Sequence, residues 1–276
     1  MEIPLWQIDA FAERLFEGNP AAVMSLTAWL DDDVLQHLAA ENILSETAFY
    51  LCDLPESAPK APEPVPTYHL RWFTPGMEVD LCGHATLATA DHLFEDAHPE
   101  VSRLLLWTRS GWVPVTRTHT GRLLSDFPAE PLTEVAVDPV IVSALGISVR
   151  EGYRATDLVY VADSAEAIRT KEPDFGVLGD LDSRGIVVTA EGDTDEIDFV
   201  SRWFGARAGI AEDPVTGSAH CALAPYWAHR LARNALTARQ LSARGGTVEC
   251  VVSADRVHPG GSYRRYLRGV VDFALD

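Results

Sequence analysis

Basic residues are scarce in this chain. Lysines and arginines number 22 against 41 aspartates and glutamates, a formal charge of -19. A surface of that sign repels phosphate backbones and anionic lipid, so nucleic-acid or membrane binding needs a local basic patch. The densest basic group, Arg264, Arg265 and Arg268, is too short to supply one. Cysteines are few as well: Cys52, Cys82, Cys221 and Cys250, with no C-x-x-C pair. That spacing offers neither a zinc site nor a disulfide framework and points to a reducing compartment. No apolar run approaches the roughly 20 residues that span a bilayer. The first eleven residues lack the basic and long apolar regions of a signal peptide. The expectation is a cytoplasmic protein with no nucleic-acid or membrane partner. No motif calls for a metal, flavin or pyridoxal cofactor.

What is present is an ordinary globular balance, 47% hydrophobic and 23% charged, which over 276 residues can bury a core in one large or two moderate domains. Ile3 to Phe11 alternates loosely as a strand, Gly18-Asn19-Pro20 is turn chemistry, and Ala21 to Ser25 is the next strand. Asp31 caps a predicted helix to about Glu41, with Leu30, Val34, Leu35 and Leu38 at helical spacing. Glu46 to Cys52 returns to strand character. Leu54 to Thr67, rich in Pro, Ala and Glu, is an exposed hairpin connection, since strand sequence resumes at Tyr68 to Phe73. Later strands fall at Leu158 to Ala162, Gly185 to Ala190, Thr247 to Ser253 and Arg268 to Ala274, and a long helix covers about Ser218 to Asn234. Many short strands with one strongly apolar helix in each half predict an α+β fold.

The two halves echo each other. Arg71-Trp72-Phe73 precedes Asp80 and then Cys82-Gly83-His84-Ala85, which opens an apolar helix. Arg202-Trp203-Phe204 precedes Asp213 and then Thr216-Gly217-Ser218-Ala219, which opens another. The shared order of triplet, acid, glycine and helix points to duplication.

These turns hold the candidate chemistry. A helix start presents unpaired N–H groups, and Gly83 and Gly217 permit close approach of a ligand, although a glycine turn also needs no function. Glu46 sits in an apolar stretch, which disfavours its charged form and suits it to general acid or base work. A strand-edge Glu facing solvent is the ordinary alternative. His84 exchanges protons near neutrality, and Cys82 is a thiol at a helix start. Each also has a plain structural explanation, a core histidine and a small buried hydrophobe. Asp213 alone is most simply a helix cap.

Several segments together resemble the signature of the phenazine-biosynthesis PhzF-like family: Gly18 to Val23, Ser45 to Phe49, Arg71 to Pro75, Glu78 to Thr86 and Gly209 to Ala219. The resemblance implies the diaminopimelate-epimerase-like fold, two pseudo-symmetric halves, each a curved mixed sheet around a central helix, with the active cleft between them. It places the halves at 1-120, with the terminal strand 268-276 added, and at 121-267. It implies a homodimer and no cofactor. It further implies isomerisation of a small carboxylate-bearing substrate, similar to trans-2,3-dihydro-3-hydroxyanthranilate. Glu46 would move the proton, assisted by His84, Asp213 and Ser218, with Gly83, Gly217, Cys82 and Thr216 against the substrate. One departure stands out: the phenazine enzyme has a small non-thiol residue where this chain has Cys82. Epimerases of the wider superfamily use two thiols, and the second position here is Thr216. An amino-acid epimerase using Cys82, or a ligand-binding protein without catalysis, are the alternatives.

Overall fold

The apolar residues that open the chain form β1 (Glu2–Ala10), which turns at Gly18 into antiparallel β2 (Asn19–Ser25). Gly18 has φ +74°, and a Cβ there would lie 2.1 Å from the Ala10 carbonyl oxygen, so the turn admits only glycine. Helix α1 (Asp32–Asn42) follows Asp31, whose side chain makes no cap bond; its carbonyl accepts from Val34 and Leu35 instead. The helix buries Leu35 and Ala39 in a cluster with Met24, Phe49 and Phe73, and returns the chain so that β3 (Glu46–Leu51) runs parallel to β2. Strands β4 (Thr67–Phe73) and β5 (Glu78–Val79) come next, β4 antiparallel to both β3 and β5. Helix α2 (Gly83–His92) then crosses to β6 (Arg103–Thr108), parallel to β4, and β7 (Gly111–Arg117) and β8 (Leu123–Ser125) follow antiparallel.

Nine residues of α2 are buried, so the helix runs through the core without a solvated face. Small residues make this possible, and Thr86 and Thr89 bond their hydroxyls to the carbonyls four residues back, at 2.5 and 2.8 Å. A π-turn over Leu93–Ala97 ends the helix.

In this computed structural model the described residues are 1–179, 181, 183–205 and 210–274. Gly209 of the second glycine segment, and Leu275 and Asp276 of the terminal strand, lie outside them. The second part of the chain contains β9 (Phe127–Pro128), β10 (Thr133–Val135), α3 (Pro139–Leu145), β11 (Val149–Arg154), β12 (Leu158–Ala162), α4 (Ala165–Thr170), α5 (Phe175–Gly179), β13 (Ile186–Thr194), β14 (Ile197–Gly205), β15 (Ile210–Asp213), α6 (His220–Leu231), β16 (Ala235–Gln240) and β17 (Gly246–Ser253). Strands β18 (Arg256–Gly261) and β19 (Tyr263–Asp272) close the chain.

The two sheets repeat one topology. Helix α1 joins the parallel pair β2 and β3, as α4 and α5 join β12 and β13; α2 joins β4 and β6, as α6 joins β14 and β16. Each unit is therefore a mixed α+β sheet folded about one central helix. The units are Met1–Asp126 with Gly260–Asp276, and Phe127–Pro259. These boundaries correct the expected 120/121 and 267/268, because Gly260 and Gly261 already pair with β8 and all of β19 pairs with β1.

Helix α6 starts at His220, later than the expected Ser218, because His220 and Cys221 first make three-residue turns onto Gly217 and Ser218. It ends at Leu231, not Asn234, with Ala232 left-handed at φ 53°. Its internal Pro225 has no N–H for the Cys221 carbonyl, and the Glu130 N–H fills that place at 3.0 Å. No helix among the described residues is long and apolar enough to cross a membrane. All four cysteines are free thiols.

Gly18→Ala forces a side chain into a left-handed turn against backbone, and is expected to lower unfolding free energy by about 1–3 kcal/mol. Urea denaturation measures this; a stability equal to wild type would show that the turn relaxes freely.

Candidate active site

In the first unit, the start of β3 and the start of α2 bring three predicted residues together. His84, the second residue of α2, is 5% exposed, and its Nε2 lies 3.2 Å from Glu46 Oε2, within ion-pair reach but off the hydrogen-bond axis. On the other side of the ring, Nδ1 lies 3.5 Å from Cys82 Sγ. Cys82 occupies the N-cap in an extended conformation and gives α2 no side-chain cap. Burial lowers the His84 pKa to about 3, so the imidazole is neutral across the physiological range.

A neutral imidazole carries one ring proton and faces two groups. With that proton on Nε2, the ring turns an N–H toward the Glu46 carboxylate, 3.2 Å away, and accepts from the Cys82 thiol at Nδ1. Shifting one proton at each end leaves a thiolate and a carboxylic acid. The donor atoms also lie within 4.8 Å of one another, the right residue types for a metal. But the imidazole points one nitrogen at sulfur and the other at the carboxylate, and a single ion takes only one of them. The three groups stand in a row, thiol, imidazole and carboxylate.

In the second unit, β15 ends at Asp213, which is 8% exposed. Thr216 Oγ1 donates to Asp213 Oδ2 at 2.5 Å, and the Thr216 N–H donates to Gln240 Oε1 at 2.9 Å. Gln240 Nε2 in turn donates to the Asp213 carbonyl at 2.8 Å. His220 Nδ1 lies 2.9 Å from the Thr216 carbonyl. That oxygen only accepts, so the His220 ring proton sits on Nδ1, and burial lowers its pKa to about 4. Thr216 is thus committed to Asp213 and Gln240 through hydroxyl and N–H. Gly217 and half-buried Ser218 lie in the turn that follows. Gln240 is the residue the sequence reading missed. Its signal was a polar side chain at the inward phase of β16, in line with buried Leu236 and Ala238.

The internal echo is real in side-chain detail. Arg71 forks onto Glu78 at 2.8 and 2.9 Å and lies over Phe73; Arg202 forks onto Glu212 at 2.6 and 2.9 Å and lies over Phe204. The repeated acid is therefore Glu78 and Glu212. The pairing of Asp80 with Asp213 is corrected by register: Trp72 faces Val79 where Trp203 faces Asp213. Asp80 is exposed and pairs with Arg109. The same registers set Thr47 opposite Phe73 and Ile186 opposite Phe204, which makes Gly185 the counterpart of Glu46. A Cβ on Gly185 would lie 2.4 Å from the Trp203 ring, so the second unit has no place for that carboxylate.

Because His84 and His220 are buried neutral, the unfolded chain takes up protons that the native one refuses once pH falls below 6.5. Their stabilisation is complete above that value and is lost toward pH 4, at about 1.4 kcal/mol per pH unit for each. Urea unfolding at pH 7 and pH 5 should show the fall, and His84→Gln should make it shallower. Equal slopes for variant and wild type would mean that His84 is not held neutral.

Residues 8–269 match the family described as phenazine biosynthesis-like protein. An uncharacterized isomerase of Pseudomonas aeruginosa is 46% identical over 274 residues, 98% of this chain and 99% of its own length. The crystal structure of a PhzF-family phenazine biosynthesis protein from Enterococcus faecalis is similar at TM-score 0.90 and 42% identity, over 99% of this chain and 100% of that one. A hydroxyproline epimerase from Agrobacterium vitis shares the fold at TM-score 0.63 and 11% identity, over 98% of this chain and 92% of that one. With the match running through both units and the signature segments, the chain belongs to the phenazine biosynthesis-like (PhzF) family.

Proposed function

We propose that this protein is a cofactor-independent isomerase that moves a proton within a small carboxylate-bearing substrate, similar to trans-2,3-dihydro-3-hydroxyanthranilate, and that it works as a homodimer. Glu46 takes a proton from carbon, leaving its electron pair delocalised into the neighbouring unsaturated system, and returns the proton at another carbon. The observation that carries this reading is Glu46 Oε2 set 3.2 Å from the Nε2 of a histidine kept neutral by burial. A neutral His84 orients the carboxylate without discharging it, so Glu46 keeps its capacity as a base. Asp213, held by Thr216, and Ser218 are the assisting groups in this proposal. The isomerase name borne by the Pseudomonas aeruginosa relative supports the reaction class.

One contact favours a second reading. Cys82 Sγ, 3.5 Å from His84 Nδ1, is placed to lose its proton to the ring as the ring passes one to Glu46. That would make Cys82 and Glu46 the two bases of an amino-acid epimerase.

Proton NMR in deuterated water, with the dihydro-hydroxyanthranilate and a panel of amino acids, separates the two. Glu46→Gln is expected to slow isomerisation or deuterium uptake about a hundredfold or more, with Cys82→Ala nearly unchanged. Exchange that survives Glu46→Gln would overturn the assignment, and loss in Cys82→Ala would favour the epimerase. The rate between pH 5 and 8 should show no inflection from His84, whose pKa lies at about 3.

A further inference from the structure

Strand β19 lies in the first unit with β1 along one edge, in a register running from Glu2 opposite Asp272 to Ala10 opposite Tyr263. Its residues from Arg264 to Arg268 are all exposed, as are Val270 and Asp272, and Tyr266, Leu267 and Val270 stand 55%, 41% and 59% open. A strand so exposed, with one row of backbone groups turned away from its neighbour, is a template for another strand.

Which groups turn away follows from the ladder. Met1 and Phe273 exchange both backbone hydrogen bonds. Antiparallel pairs alternate, so Val271, Gly269 and Leu267 also point their N–H and C=O at β1, and Asp272, Val270 and Arg268 point theirs outward. The side chains of those same three residues share one face of the sheet. Along that face the order is Arg, Val, Asp: a cation, an apolar residue and an anion.

We propose that this edge is the homodimer interface, two copies of β19 pairing antiparallel about a two-fold axis at Val270. It deepens the homodimer part of the proposed function and rests on that part alone. In this register Val270 faces Val270, Arg268 of each copy faces Asp272 of the other, and six outward backbone hydrogen bonds form. That number lies within the range of about 5–15 for protein interfaces. On the opposite face Leu267 meets Phe273, and Gly269 makes room for Val271. Moving the axis to Arg268 sets two arginines directly opposite each other, which is unfavourable. Neither Arg268 nor Asp272 has an ion-pair partner among the described residues. The devices that guard edges fall at the other end of the strand: a bulge opposite Gln7 and Ile8, and Arg264 and Arg265, which are tied to Glu13, Asp91 and Asp96. The stretch from Leu267 onward has no bulge, and its charges, Arg268 and Asp272, are not tied back in ion pairs among the described residues. A foreign strand would have to supply Arg-x-apolar-x-Asp in the right register, and a second copy of this chain supplies it by symmetry.

The test is sedimentation velocity on the full chain over a range of concentrations, for wild type, Arg268→Asp, Asp272→Arg and the double swap, with circular dichroism as the folding control. Wild type is expected to be a dimer. Each single reversal should weaken association roughly tenfold or more by opposing like charges twice across the axis, and the double swap should restore it. Restoration also shows that the single variants failed at the interface and not in folding. A monomeric wild type would overturn the dimer and the surface together. A dimer indifferent to both single reversals would overturn the surface and leave the dimer standing.

Discussion

In each unit one arginine is gripped through two hydrogen bonds by one glutamate, and the strand, turn and helix that follow hang on that fork. Arg71 on Glu78 closes β4 onto β5, and Arg202 on Glu212 closes β14 onto β15. The next residues enter α2 in one unit and the turn before α6 in the other, so the forks close the strand pairs from which Cys82, His84 and Asp213 follow. Arg202 is only 6% exposed. Removing one member of such a pair strands the other charge, at a cost of about 3–5 kcal/mol, although the intact pair adds little over apolar packing. The fork therefore specifies geometry more than it stabilises, and the phenylalanine under each guanidinium flattens it against the sheet.

Burial does the complementary work at the helix starts. A solvated histidine beside Glu46 would take a proton near neutrality and form an ion pair, and the carboxylate would lose much of its basicity. Sinking His84 to 5% exposure withholds that proton. The core that hides α2, with Ala85, Leu87, Ala88 and Ala90 buried along the same helix, thus also makes a charge on the imidazole costly to form.

Much of this was legible in the sequence because it is local. Glu46, Cys82 and His84 sit in short motifs at element starts, and pattern alone located the strand and helix that present them. The duplication was legible too, through the Arg-Trp-Phe triplets. What failed depended on cross-strand register. Asp80 looked like the partner of Asp213 by order along the chain, but only the ladders show that Val79 occupies that place. Gln240 lies far along the chain from Asp213 and Thr216 and belongs to no motif, so its role appears only when β16 is set beside β14. The unit boundaries moved for a similar reason, since the glycines that end β18 pair back onto β8.

The contrast between Glu46 and Gly185 has a historical consequence. If the two halves began alike, they have since parted at this position, and Trp203 now fills the volume that any side chain at 185 would need. Trp203 Nε1 is itself bonded to Asp157, which Arg184 also holds, so the tryptophan is fastened in turn. An acid at 185 requires that Trp203 move first, because a Cβ there lies 2.4 Å from its ring. The asymmetry between the halves is therefore hard to undo by a single change, and a carboxylate at this position is confined to the half that carries Glu46.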